Sequence, residues 1–157
     1  MTGNKIFREP DLSNRPLNLT VERLMNLKPE TLFNAWTKEF DVWFAAPGSV
    51  LMTDKENTPF FFETEFKPDE NSDLQRSSHY GRFLKLVPNQ LIKLTWVTGA
   101  GGTKGSETVV TVELTPKNEK TLLKLTHLGF PDEESKNGHQ QAWPMVLEQL
   151  EKRYTEK

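Results

Sequence analysis

Apolar and polar residues alternate along most of the chain, which is the pattern of half-buried β-strands. Leu17, Leu19 and Val21 alternate with polar neighbours and predict a first strand over residues 17–25. Further alternating stretches, separated by turn-forming residues, predict strands at 49–53, 59–66, 80–87, 91–98, 107–115 and 121–128. The short spacings favour antiparallel hairpins, because parallel strands need long crossover connections.

Two short segments between the first strands follow a helical spacing instead. Pro29 suits the first position of a helix, because its fixed φ is already helical and no N–H is needed there. The apolar residues that follow predict one short helix around Leu32 and Trp36, and a second around Phe40 and Trp43.

The C-terminal segment carries the longest helical pattern. Trp143, Leu147 and Leu150 recur at i, i+4 and i+7 and form an apolar stripe. We predict a long helix that begins near Asp132. It places Pro144 in its interior, where proline is expected to introduce a kink.

This order of elements predicts an α+β fold. The apolar face of a curved antiparallel sheet needs a cover, and only the C-terminal helix is long enough to provide it. The gap between helix and sheet is where an apolar cavity can form. Residues 1–16 are polar with two prolines and predict a flexible arm, which Ile6 and Phe7 could pin, ahead of a domain over 17–157.

Composition narrows the classes of function. The 157 residues suit one domain, and the absence of cysteine excludes disulfides and cysteine-based zinc sites. The net charge of −2 comes from interspersed acidic and basic residues, so we expect no nucleic-acid partner. No apolar run approaches the roughly 18 residues of a membrane span, and none resembles a signal peptide. We therefore expect a cytoplasmic protein.

The histidines are the first candidates for chemistry. His127 shares a predicted strand face with Leu123 and Leu125, so it is either a polar anchor inside a cavity or an ordinary buried histidine with a hydrogen-bond partner. His79, His127 and His139 have no metal-ligand spacing, and we predict no metal site.

Two other patterns argue against catalysis. Glu63 and Glu65 alternate away from Phe62 and are expected to face solvent, so they are a poor acid–base pair. The glycine-rich segment 99–105 lacks the residue order of a phosphate-binding loop and lies between two strands. It predicts a flexible hairpin loop, and we predict no catalytic residue and no cofactor.

Three stretches in order resemble one known family. They are RLMNLKPETLFNAWT at 23–37, GRFLKLVP with LIKLTW between 81 and 96, and LTHLGFPDE from 125, followed by His139 and Trp143. Together they span nearly the whole chain. They are similar to the opening strand and helix, the central hairpin and the closing segment of the activator of heat-shock protein 90 ATPase homologue family, within the SRPBCC/START-like superfamily.

The resemblance implies a helix-grip fold that binds a small apolar or amphipathic molecule between the long helix and the sheet. The residues expected to line that cavity are Trp43, Phe62, Phe66, Trp96, His127, Trp143 and Leu147. Two alternatives remain open. One is a co-chaperone-like interaction domain with a chaperone partner, and the other is a cyclase-like or hydrolase-like enzyme that uses the same cavity.

Overall fold

A computed structural model describes residues 9–67 and 69–156. The described residues form six strands and three helices in the α+β arrangement that the sequence predicts. The strands are β1 (Leu17–Met25), β2 (Pro59–Phe66), β3 (Gln75–Val87), β4 (Leu91–Trp96), β5 (Thr108–Lys117) and β6 (Lys120–Phe130). The helices are α1 (Pro29–Thr37), α2 (Phe40–Trp43) and α3 (Glu133–Thr155).

The strands make one antiparallel sheet in the order β1-β6-β5-β4-β3-β2. The long helix α3 lies against this sheet and buries Trp143, Leu147 and Leu150, the predicted apolar stripe. The short helices α1 and α2 follow β1 and add Trp36 and Phe40 to the same core. The architecture is thus the helix-grip fold that was expected.

The predicted strand at 49–53 is wrong, and the sheet has six strands where seven were expected. Only Leu51 forms a bridge, with Phe61 of β2. Ser49 explains why the pairing does not extend, because its side chain occupies the hydrogen-bonding site on the strand edge. Its Oγ accepts from the Glu63 N–H at 3.0 Å and donates to the Ala46 carbonyl at 2.8 Å.

Strand β3 begins five residues earlier than the predicted start at residue 80. Residues 75–79 lack alternating apolar side chains, so their pattern gives no strand signal. They nevertheless pair with the end of β2, from Phe62 opposite His79 to Phe66 opposite Gln75. Backbone pairing with an existing strand, together with an ion pair between Arg76 and Glu63 at 2.7 Å, holds this extension.

The predicted helices after β1 and at the C-terminal side of the sheet are confirmed. Pro29 occupies the start of α1 as predicted. Helix α3 runs through Pro144, and the side chain of Asp132 caps it by accepting from the Ser135 N–H at 2.8 Å. The kink predicted at Pro144 stays a prediction.

The predicted N-terminal arm is described only from residue 9 onward, so Ile6 and Phe7 lie outside the described residues. In the described part, the guanidinium of Arg15 donates to the backbone carbonyls of Gly129 at 2.8 Å and Glu107 at 2.6 Å. These contacts attach the end of the arm to β6 and to the start of β5. The flexibility of the arm stays a prediction.

Candidate ligand-binding groove

Large aromatic rings fill the space between α2, α3 and the sheet. Trp43 lies 5.2 Å from Trp36 between ring centroids, and Trp96 lies 5.4 Å from Trp143. Phe62 stacks on Phe40 at 4.8 Å. All of these rings are almost completely buried. We call this set of packed rings the aromatic cluster.

A groove of about 790 Å³ opens beside the aromatic cluster, between α3, the end of β2, the start of β3 and the loop after β4. We call it the α3 groove. Its lining residues are Phe44, Thr64, Glu65, Phe66, Arg76, Ser77, His79, Thr98, Gly101, Gly102, Gly138, His139, Ala142, Met145, Val146 and Gln149. Such a volume lies within the range of small-molecule sites.

The seven residues predicted to line a cavity divide between the groove and the core. Phe66 lines the groove and is 45% exposed. The other six are buried behind the groove wall: Trp43, Phe62, Trp96, His127, Trp143 and Leu147. His79 connects the two layers, because its ring lines the groove and stacks on Phe62 at 5.0 Å.

His127 belongs to a chain of hydrogen bonds inside the core. The indole N–H of Trp143 donates to His127 Nδ1 at 3.0 Å, and Nε2 lies 2.7 Å from the Thr108 hydroxyl. An indole N–H can only donate, so Nδ1 carries no proton and Nε2 donates. The Thr108 hydroxyl in turn donates a hydrogen bond to the Trp96 carbonyl at 2.6 Å.

This series of hydrogen bonds requires a neutral His127 ring. Burial, and to a smaller degree the neighbouring His139, hold the pKa of His127 well below its usual value. The geometry matches the second interpretation offered for this residue, a buried histidine with its polar atoms paired. Whether His127 also orients a ligand stays a prediction.

His79 and His139 line the groove itself. From the sequence, we had weighed these two residues only as metal ligands. His79 Nδ1 lies 3.1 Å from the Ser77 carbonyl, and His139 Nδ1 lies 2.8 Å from the Ser135 carbonyl. A carbonyl only accepts, so both Nδ1 atoms carry the proton. No bond to either Nε2 atom is found within the described part of the chain. The one sequence signal for His139 was its place one turn before Trp143 on the predicted helix.

Burial sets the charge of both rings. It lowers the pKa of His79 to about 4, against an opposing hydrogen bond to Ser77. It also lowers the pKa of His139, again against a backbone hydrogen bond, to Ser135. Both imidazoles are therefore neutral near pH 7, and each presents a free lone pair at Nε2.

The charged groups at the rim of the groove pair with one another. Arg76 donates to Glu63 at 2.7 Å and to Glu65 at 3.4 Å. Glu65 lines the groove, and that the two glutamates take no part in acid–base chemistry stays a prediction. Gln149 is the remaining polar group on the α3 side, and its side-chain N–H₂ donates to the Trp43 carbonyl.

The glycine-rich loop closes one side of the groove, and the flexibility expected from its composition stays a prediction. Thr98 and Thr103 bond reciprocally through backbone N–H and hydroxyl groups at 2.7 and 2.9 Å. The Ser135 hydroxyl donates to the Gly102 carbonyl at 2.8 Å, and Lys104 pairs with Asp132 at 2.9 Å. These contacts attach the loop to the start of α3.

A second depression lies at the other end of β4, where the turns after β1, β3 and β5 meet. It measures about 1090 Å³ and is lined largely by polar turn residues such as Asn89 and Lys120, without an aromatic side chain. The α3 groove, with its phenylalanines and methionine, suits an apolar ligand better.

Residues 9–67 and 69–156 contain no cluster of three or more histidine or acidic residues that could hold a metal ion. Within the same ranges, no helix is both long and apolar enough to cross a membrane.

Comparison with known proteins agrees with this architecture. A protein from Chromobacterium violaceum superposes with a TM-score of 0.69 at 23% identity, over 87% of this chain and 96% of its own. The AHSA1 protein from Silicibacter pomeroyi gives a TM-score of 0.69 at 20% identity, over 88% and 97%. The Aha1 dimer from Colwellia psychrerythraea gives 0.62 at 15% identity, over 87% and 94%. Among curated proteins, none matches the chain.

The curved antiparallel sheet around α3 defines a helix-grip protein. The model of the family "Activator of Hsp90 ATPase homolog 1-like protein" matches residues 26–155, which is most of the chain. The chain belongs to that family, as its three sequence stretches indicated.

Proposed function

We propose that this protein binds a small apolar or amphipathic molecule in the α3 groove. The observation that carries the proposal is the composition of the groove wall. Phe44, Phe66, Met145 and Val146 offer apolar surface, and half of the lining residues are polar or charged, so the wall suits a molecule with an apolar body and a polar group. Phe66 and Met145 are also 45% and 66% exposed, so a ligand would cover apolar area that is now in water.

The aromatic cluster then serves as the rigid floor of the site. Phe44 stacks on Trp43 at 5.4 Å and on Trp96 at 6.1 Å between centroids, so the groove wall is backed by buried rings. In this proposal the predicted lining residues act mainly by supporting the wall, and Phe66 contacts the ligand directly. Burial of apolar area supplies most of the affinity.

Native mass spectrometry of gently purified protein tests the proposal. We expect a releasable adduct of small-molecule mass on the wild-type chain. Ala142 lines the groove, so Ala142→Trp fills it and removes the adduct. Gln141 is exposed and outside the lining, so Gln141→Trp keeps it. An adduct that persists in Ala142→Trp would place the ligand elsewhere.

A further inference from the structure

The polar groups of the α3 groove offer an uneven set of hydrogen-bonding atoms. His79 and His139 each donate through Nδ1 to a backbone carbonyl, so the lone pair on each Nε2 atom is available to accept a hydrogen bond. Gln149 uses its N–H₂ on the Trp43 carbonyl, which leaves its side-chain oxygen for another partner. Three side chains on two walls of the groove therefore have acceptors to spare.

Arg76, the cationic donor among the lining residues, is committed. The guanidinium of Arg76 reaches two carboxylates, on Glu63 and Glu65. This small cluster carries one positive and two negative charges, so it repels an added anion more than it attracts one. The Thr98 hydroxyl oxygen accepts from the Thr103 N–H at 2.7 Å, and the hydroxyls of the lining can both donate and accept.

We propose that the ligand is a neutral molecule with an apolar, ring-sized body and a hydroxyl or similar hydrogen-bond donor, which is received by Nε2 of His79 or His139. This inference rests on the proposed function, because it assigns the chemistry of the same groove. A molecule that ends in a carboxylate meets lone pairs there and is disfavoured. A hydrocarbon of the same shape leaves the lone pairs unpaired.

The charge state of the histidines agrees with this geometry. Burial lowers the pKa of both rings, so they remain neutral acceptors at pH 7. The titratable groups around them are Glu65 on β2, Arg76 on β3, His127 on β6 and the two histidines themselves. Below the lowered pKa of either ring, Nε2 gains a proton and becomes a donor, so acidification weakens a hydroxyl ligand and favours a carboxylate.

Three probes of similar shape test the inference: 2-naphthol, 2-methylnaphthalene and 2-naphthoate. Their affinities for the full chain at pH 7.5 are measured by calorimetry, and the imidazole ¹⁵N shifts of the histidines are followed by NMR. We expect 2-naphthol to bind about fivefold to tenfold more tightly than 2-methylnaphthalene, although it is the less apolar of the two. Naphthoate should bind more weakly still, and 2-naphthol should shift an Nε2 resonance of His79 or His139.

His139→Phe keeps a ring on α3 and removes the acceptor. We expect the preference for 2-naphthol over 2-methylnaphthalene to shrink in this variant or, where His79 receives the hydroxyl, in His79→Phe. The affinity for 2-methylnaphthalene should remain in both. The ¹⁵N shifts of the wild-type protein give the same information if the variant does not fold. Equal or tighter binding of 2-methylnaphthalene or naphthoate, without an Nε2 shift, would overturn this inference and leave the proposed function standing. Failure of all three probes to bind at their solubility limits would count against both.

Discussion

At the scale of single residues, His127 shows how a polar side chain is accommodated in this core. Its two nitrogens are occupied by Trp143 and Thr108, and the Thr108 hydroxyl continues to the Trp96 carbonyl. The sequence could place His127 on the buried strand face by alternation. It could not supply these partners, because they come from β5 and α3, 19 and 16 residues away.

Replacing Thr108 tests the contribution of this hydrogen-bond network to stability. Thr108→Val keeps the shape of the side chain but leaves the Nε2–H of His127 without an acceptor, and we expect a loss of about 1–3 kcal/mol in unfolding free energy. Thr111→Val on the same strand is the control, because no hydrogen bond of its hydroxyl is found in the described part of the chain. It should cost less than about 0.5 kcal/mol. Equal losses of unfolding free energy in the two variants, measured by urea unfolding, would contradict the role of this hydrogen-bond network.

The buried histidines also predict how stability depends on pH. His79 titrates near 4 in the folded protein and near 6.5 when unfolded, and the pKa values of His127 and His139 are also lowered, all mainly by burial. Between these values the unfolded chain binds more protons than the folded one, so acidification favours unfolding.

We therefore expect the unfolding free energy to fall as the pH drops from 6.5 towards 4.5, by up to about 1.4 kcal/mol per pH unit for each histidine. Urea unfolding across this range measures the slope, and His79→Phe should reduce it by one histidine's share. A stability that stays constant over this range would show that the histidines are not held neutral by the fold.

At the scale of elements, the sequence predicts the strands and helices in which apolar residues recur at the same spacing as the buried positions. It predicted β1, the central hairpins, α1 and the stripe of α3, because a half-buried strand or helix must repeat its apolar residues. It missed the start of β3, where polar residues such as Arg76 and Ser77 form a strand by pairing with β2. It also predicted a strand at 49–53, where Ser49 replaces backbone pairing with a side-chain contact.

Acidic side chains at the start of α3 join this helix to the glycine-rich loop. Asp132 both caps α3 through Ser135 and pairs with Lys104, whereas Glu134 only pairs with Lys104. We expect Asp132→Ala to lower the unfolding free energy by about 1 kcal/mol through loss of the cap. Glu134→Ala should change it by less than about 0.5 kcal/mol, because an exposed ion pair contributes little. Equal effects in thermal or urea unfolding would show that the cap adds nothing beyond the ion pair.

At the scale of the whole molecule, the helix-grip fold was predictable because its order of elements and its three family-like stretches point the same way. The groove was less accessible to sequence analysis. The expected lining residues include large rings that the fold packs completely, such as Trp96 and Trp143, while the groove lies one layer outward. Periodicity identifies the side of a strand that is buried, but it cannot tell a filled core from a site wall.

The central claim is that the α3 groove binds a small apolar or amphipathic molecule. Titration with N-phenyl-1-naphthylamine, a neutral dye that fluoresces in apolar surroundings, tests it most directly. We expect saturable binding of one dye to the wild-type chain and to Gln141→Trp, and loss of that binding in Ala142→Trp when circular dichroism shows the variant to be folded. Dye binding that Ala142→Trp leaves unchanged, or no saturable binding to the wild-type chain, would contradict it.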